Sequence, residues 1–275
     1  MIKTFKIIYL VAILPIFLFS ACEKDGDNII PKIKALNKEF SISGFVLGDT
    51  VEQYFDGVKM REYYGQVRLS TAFQNQLAFV KDEINMELRR KSTGETIYSQ
   101  TFNINDKQNI VPKFYFDGKQ FSKSYTYPNP EGDEYIANFY VEPSGGSTYV
   151  DINIDVLEYY YDSTKADPLV VVNTTTIPIA TNVKPGEWTS YLKVQVPTVS
   201  PQQSGTELYP IVVVRDAKTK DYYVNKNRDE STINMEVPYD GVSPGKVQSV
   251  FLNRKIGEAS KLYLEVFDLV QLFPH

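Results

Sequence analysis

Histidine, the most frequent general base, and cysteine, a strong nucleophile, each occur once in this 275-residue chain. The only histidine is His275 at the carboxyl end, and the only cysteine is Cys22, directly after an apolar leader. A Ser-His-Asp or Cys-His site needs a histidine held by its surroundings, and a closed zinc site needs several such ligands. The sequence therefore predicts no nucleophilic catalysis and no zinc centre.

Carboxylates are abundant, with 34 Asp and Glu residues, so a glycoside hydrolase built on two carboxylates stays open as an alternative. Three acidic doublets stand out, at Asp82-Glu83, Asp133-Glu134 and Asp229-Glu230. Each doublet lies in a polar stretch typical of a solvated turn, and no calcium-loop spacing is present. We therefore expect a non-enzymatic protein with no catalytic residues, no metal ion and no cofactor.

Aromatic side chains are the remaining candidates for ligand binding, because a ring offers a flat apolar face and, in Tyr or Trp, a polar tip. Trp188, the only tryptophan, follows a turn-like Lys184–Glu187 stretch, and a position in the core is the favoured alternative. Tyr159 and Tyr161 would share one face of a strand, with Tyr160 on the other. These three, Trp188, Tyr159 and Tyr161, are our candidate ligand-binding residues.

The first 21 residues have the three parts of a secretory signal peptide. Lys3 and Lys6 precede an apolar run over residues 7–19, and small residues follow at Ser20 and Ala21. The apolar run is too short for a membrane-spanning helix. Because Cys22 has no second cysteine to pair with, the sequence also excludes an intramolecular disulfide.

The stretch Leu18-Phe19-Ser20-Ala21-Cys22 resembles the lipobox of bacterial lipoproteins. This resemblance implies cleavage before Cys22, lipidation of its thiol, and a membrane partner reached through two or three acyl chains, which anchor a protein stably. The alternative is an ordinary signal peptide that happens to be followed by a cysteine.

The segment Glu23-Lys24-Asp25-Gly26-Asp27 resembles the acidic export tract of surface lipoproteins in Bacteroidota. It implies an outer-membrane, cell-surface location, and a solvated linker is the plainer alternative for the same composition. We predict a flexible tether over residues 22–36.

Two triplets beyond the tether resemble the acceptor of Bacteroidota O-glycosylation. They are Asp49-Thr50-Val51 and Asp162-Ser163-Thr164, so the resemblance implies modification at Thr50 and Ser163 on an external surface.

Apolar residues in the body of the chain alternate with polar ones, which indicates strands rather than helices. The pattern is clear over residues 149–156, 191–196 and 262–267, each of which we expect to be a half-buried strand with one wet face. With 20 tyrosines, 15 prolines and 15 glycines, the composition suits short strands joined by frequent turns. The predicted class is all-β, built from antiparallel β-sandwiches of immunoglobulin-like or transthyretin-like topology.

At about 150 residues per domain, the length suggests two domains in tandem. The proline-rich stretch over residues 124–133 is the best boundary, giving domains over residues 37–127 and 134–275. Asp-Gly turns are expected after aromatic strand ends at Asp56, Asp117 and Asp240, and the last two lie 123 residues apart. Charged hairpin turns at Arg90 and Arg215 lie 125 residues apart. Duplication of one domain would explain this, and coincidence among common turns is the alternative.

The net charge of −5 and pI near 5.1 argue against a nucleic-acid partner, which needs a clustered basic surface. The leading hypothesis is a lipid-anchored binding or accessory protein for a glycan, a nutrient or an envelope protein. A fimbrial subunit or fimbrial anchor, assembled by strand addition, is the first alternative. The carboxylate-based hydrolase is the second.

Overall fold

A computed structural model describes residues 32–69, 76–143, 148–195, 198–238, 246–257 and 260–275. The signal peptide, Cys22 and most of the predicted tether lie outside these residues. The described chain consists of strands, turns and two short 3-10 turns, which confirms the all-β class. Within the described part, no helix is long and apolar enough to cross a membrane.

We call the strands up to β9 the N-terminal unit. They are β1 (Ala35–Ser41), β2 (Ser43–Phe55), β3 (Val58–Arg68), β4 (Gln76–Phe79), β5 (Glu83–Arg90), β6 (Thr96–Asn103), β7 (Asn109–Ile110), β8 (Phe114–Phe116) and β9 (Phe121–Ser122). In one sheet β1 lies between β4 and β7, and in the other β2 pairs with β3, β5 and β8. A core of apolar side chains that includes Phe40, Val46, Met86 and Phe114 fills the space between the sheets.

The strands from β10 onward form the C-terminal unit. They are β10 (Ile136–Val141), β11 (Val150–Tyr161), β12 (Leu169–Val183), β13 (Leu192–Lys193), β14 (Glu207–Asp216), β15 (Thr232–Ile233), β16 (Val247–Ile256) and β17 (Leu262–Asp268). They make two four-stranded sheets, in the orders β13-β10-β16-β17 and β12-β11-β14-β15. The core between them includes Phe139, Ile152, Ile154, Val212 and Val250.

The two units share one pairing scheme. Strands β1 and β10 each lie between an antiparallel partner, β4 or β13, and a parallel partner, β7 or β16. Strands β2 and β11 each have two antiparallel neighbours, β3 and β5 or β12 and β14. The charged turns at Arg90 and Arg215 follow the equivalent strands β5 and β14, which supports duplication. Gly241 and Asp240 lie outside the described residues, and the domain boundaries over residues 37–127 and 134–275 stay predictions.

Local turn chemistry acts as the sequence indicates at the β2–β3 hairpin. Asp56 and Gly57 join the strands with φ of 48° and 81°. A two-residue turn with both φ positive matches the right-handed twist of the strands it connects, and Asp-Gly is among the sequences that adopt it most easily.

Two of the half-buried strands differ from expectation. Val150, Ile152, Ile154 and Val156 share the core face of β11 as predicted, but the opposite face is not wet. Asp151, Asn153 and Asp155 on that face are buried as well. Of the other expected strand, over residues 191–196, the structure describes residues 191–195, and within these only Leu192–Lys193 form a strand, which pairs with β10.

An aromatic interface joins the two units. Phe45 of β2 lies 5.2 Å from the rings of both Phe251 on β16 and Phe267 on β17, edge-on to the first and stacked with the second. Tyr64 of β3 donates a hydrogen bond to the carboxylate of Glu142, beyond β10, and burial raises the pKa of that carboxyl. Strands of both units therefore use one face for their own core and the other for this interface.

The chain end closes one side of the interface. The Lys113 ammonium donates to the carbonyl of Leu272 over 2.6 Å, and the Phe273 ring contacts Tyr115. His275 is exposed, and its ring lies 5.5 Å from that of Tyr127. The carboxyl end is thus held by neighbouring side chains of the N-terminal unit and of the stretch that follows it.

Replacing Phe45 with alanine should destabilise the protein strongly, because its fully buried ring contacts both β16 and β17. We expect a loss of about 3–5 kcal/mol in the free energy of unfolding, measured by urea titration. Met60→Ala, at a side chain 55% exposed on β3, is the control and should stay within about 0.5 kcal/mol. Equal stability of the two variants would show that the interface contributes little.

Candidate functional site

The outer face of the sheet β12-β11-β14 gathers exposed aromatic side chains at one end. Tyr159 of β11 lies opposite Val171 of β12, and Tyr161 lies opposite Leu169. On the other side of β11, Tyr209 of β14 lies opposite Leu157, two positions from Tyr159. We call the group Tyr159, Tyr161, Leu169, Val171 and Tyr209 the tyrosine face.

The tyrosine face is open to solvent at its outermost rings. Tyr161 is 71% exposed and Tyr209 is 57% exposed, and Leu169 beside them is 42% exposed. Tyr159 is half-buried, and its hydroxyl donates to Glu207 over 2.8 Å. This bond to a carboxylate raises the pKa of Tyr159, so the ring stays neutral and its polar tip is fixed.

A buried carboxylate positions the start of β14 against β11. Glu158 accepts hydrogen bonds from the amides of Gln202 and Gln203 and from the Thr206 hydroxyl, at 2.6–2.8 Å. The Thr206 hydroxyl and these amides stabilise the carboxylate and hold the pKa of Glu158 below its usual value. The loop before β14 is thereby fixed, which sets Tyr209 beside the tyrosines of β11.

The opposite end of the same sheet face carries a charged network. Asp155, which is fully buried, accepts from Arg215 at 2.7 Å, from Tyr222 at 3.0 Å and from Thr176 at 2.8 Å. The Arg215 guanidinium also lies 4.0 Å from the centre of the Tyr222 ring. A buried carboxylate is tolerated only when it is paired and hydrogen-bonded, and this network supplies both.

Trp188 lies on a different part of the molecule from the two predicted tyrosines. Its indole N–H donates to Tyr115 of the N-terminal unit over 3.1 Å, and its ring contacts Tyr140 of β10. These contacts support the core alternative, within the interface between units. The half-buried ring also lines a cavity of ≈ 380 Å³ beside β12. The structure therefore brings Tyr159 and Tyr161 together, adds Tyr209, and leaves Trp188 apart.

The predicted modification sites differ in accessibility. Ser163 is exposed in the turn between β11 and β12, two residues from Tyr161. Thr50 is half-buried within β2, a position less open to an enzyme. Cys22, the predicted lipidation site, lies outside the described residues. Glycosylation and lipidation all stay predictions.

The acidic doublets lie at the start of β5, just before β10 and in the 3-10 turn before β15, and each is engaged by a cation. Lys34 pairs with Asp82, Lys193 with Glu134, and Lys261 with Glu230, each within 3 Å. The hydrogen bond from Lys193 lowers the pKa of Glu134, whereas a glycosidase acid needs a raised one. In the described ranges, no three Asp, Glu, His or Cys residues are grouped so as to hold a metal ion.

Comparison with protein-family models gives no match, and comparison with curated proteins gives none either. Among solved structures, the chain is similar to a proposed adhesin from Bacteroides ovatus at 9% identity and TM-score 0.26, over 83% of this chain and 93% of that one. It is also similar to a proposed cell adhesion protein from the same species at 11% identity and TM-score 0.21, over 84% and 96%. Such low values carry no argument about function.

Replacing Asp155 with alanine should destabilise the C-terminal unit, because the change leaves the Arg215 guanidinium, itself only 17% exposed, without its carboxylate. The expected loss in the free energy of unfolding is about 3–5 kcal/mol, measured by denaturant titration. Asp229→Ala removes an exposed ion pair with Arg228 and should change stability by no more than about 1 kcal/mol. If both variants lose the same small amount, the network does not stabilise the sheet.

Proposed function

We propose that this protein is a non-enzymatic, lipid-anchored binding protein of the outer membrane surface, and that it binds a neutral glycan at the tyrosine face. One observation carries the proposal: Tyr161 and Tyr209 expose most of their rings on one sheet face, around the hydrogen-bonded pair Tyr159 and Glu207. Soluble proteins rarely expose grouped apolar rings unless something binds them.

The chemistry of the tyrosine face suits a sugar better than an ionic ligand. Aromatic rings can stack on the apolar C–H faces of a pyranose, while hydroxyl and carboxylate groups hydrogen-bond to its hydroxyls. Glu207 and the Tyr159 hydroxyl already form such a polar pair between the rings. None of the five residues of the tyrosine face carries the positive charge that would recognise phosphate or sulfate. Lys165 lies 5.9 Å from the ring of Tyr160, which strand alternation sets on the other side of β11.

The proposal of binding without catalysis rests on how the carboxylates are used. Asp155 and Glu158, two of the three buried acids of β11, are each held by three hydrogen bonds that serve the fold. The exposed acidic doublets are paired with lysine or arginine. A fimbrial role by strand addition stays the alternative from the sequence.

Replacing Tyr161 or Tyr209 with alanine should weaken glycan binding by about tenfold or more, since each change removes an exposed ring without touching the core. The measurement is a neutral-oligosaccharide array with residues 23–275, followed by calorimetric titration of the strongest sugar. Tyr263→Ala, at a side chain 44% exposed on β17, is the matched control and should bind as the parent does.

Two outcomes would contradict this proposal. Failure of the parent chain to bind any neutral sugar at millimolar concentration would exclude a neutral glycan as its ligand. Equal binding by the parent and the Tyr161 and Tyr209 variants would place the site elsewhere.

Replacing Cys22 with alanine should release the protein from membranes, because the thiol that would carry the acyl chains is lost. Fractionation of cells into membrane and soluble parts measures this change. The double variant Glu23→Gln, Asp25→Asn keeps Cys22 and should stay with the membrane, serving as the control. Undiminished membrane association of the Cys22 variant would rule out the lipid anchor.

A further inference from the structure

Strands β3 and β12 occupy the same place in the two units, at the edge of a sheet. Strand β3 pairs with β2, and β12 pairs with β11, and no strand in the described parts of the chain pairs with the other side of either. Such an edge presents a row of backbone N–H and C=O groups that can pair with another strand.

The two edges differ sharply in charge. Strand β3 carries Lys59, Arg61, Glu62 and Arg68 within 11 residues. Strand β12 has no charged residue among its 15. Charged side chains are a common means of preventing edge-to-edge pairing, so β3 is protected and β12 is not.

Pro178 limits the unprotected part of β12. Proline lacks the backbone N–H that would donate to a carbonyl of a partner strand, so pairing is interrupted at that residue. The stretch before it, Leu169–Ile177, consists of apolar side chains, three threonines and one asparagine. This length is ample for a strand pair, since strands in globular proteins average five to six residues.

We propose that residues 169–177 pair antiparallel with the same residues of a second copy of this chain, about a two-fold axis. The absence of charge on β12 favours a second copy of the chain as the partner. A two-fold axis pairs a strand with an identical strand, so any charged side chain on it would lie close to the same charge of the partner and repel it. Two four-stranded sheets then become one sheet of eight strands.

This pairing also affects the proposed binding surface, although the evidence for the pairing is the uncharged edge of β12 and does not depend on that surface. Leu169 and Val171 belong to both the free edge and the tyrosine face. Joining two copies at β12 puts both tyrosine faces on the same side of one sheet. Because the paired strands are antiparallel, the faces lie toward opposite ends of the joined edge, separated by about eight residues or ~27 Å along the strand direction. A ligand long enough to reach both faces would gain from this arrangement.

Sedimentation equilibrium of residues 23–275 at low salt tests the proposal, and a dimer is expected. Thr174, exposed near the centre of the stretch, is changed to lysine or to glutamate. Each variant alone should self-associate about fivefold more weakly, because like charges then meet across the axis. An equimolar mixture of the two variants should recover the association, because their charges attract.

Met60→Lys adds the same charge to the protected edge of β3 and should leave the dimer unchanged. Circular dichroism confirms that each variant is folded, and the mixing experiment requires both variants to be folded. A monomeric parent chain at about 100 µM overturns the proposal. So does a dimer that neither charge at Thr174 weakens. Loss of glycan binding in the Tyr161 variant with an intact dimer would separate this inference from the proposed function.

Discussion

The packing of Phe45 between β16 and β17 determines which surface of the C-terminal unit remains open. Strands alternate side chains between faces, so β16 sends Val250 and Leu252 to its own core and Phe251 to the N-terminal unit. The sheet β13-β10-β16-β17 is therefore covered where Phe251 and Phe267 lie, while Tyr263 at the start of β17 stays exposed. The opposite sheet, β12-β11-β14-β15, exposes Tyr161 and Tyr209 on its outer face, which is the surface that the proposed binding uses.

Strand β11 makes that outer face two different surfaces. Near the start of β11, the buried carboxylates of Asp151 and Asp155 require cationic partners. Lys220, in the turn after β14, pairs with Asp151. Arg215, near the end of β14, pairs with Asp155. At the other end of β11, Tyr159 and Tyr161 need no counter-charge and remain accessible. The charged network fixes the pairing of β11 with β14, and that pairing brings Tyr209 to the tyrosines. The stable half of the face thus supports the exposed half.

Local patterns in the sequence were sufficient for the fold class, for the core face of β11 and for the turn at Asp56, because each depends on neighbouring residues. They also placed Tyr159 and Tyr161 on one face. Contacts between residues far apart in the sequence could not be predicted from such local patterns. The wet face expected for β11 was wrong because Arg215, 60 residues away, neutralises Asp155. Tyr209 was missed because its place depends on the register of β11 with β14, which no local pattern specifies.

The β11–β12 hairpin concentrates the features that the core does not require. Strand β11 carries two of the three tyrosines of the tyrosine face, Tyr159 and Tyr161, and strand β12 carries the uncharged edge. If edge pairing joins two copies and a ligand spans both faces, the two equilibria are linked. Ligand would then bind the dimer more tightly, and dimer would form more readily with ligand bound, by the same factor. Such coupling requires no conformational change, because the hairpin that contributes to the ligand-binding surface also forms the edge that pairs with the second copy.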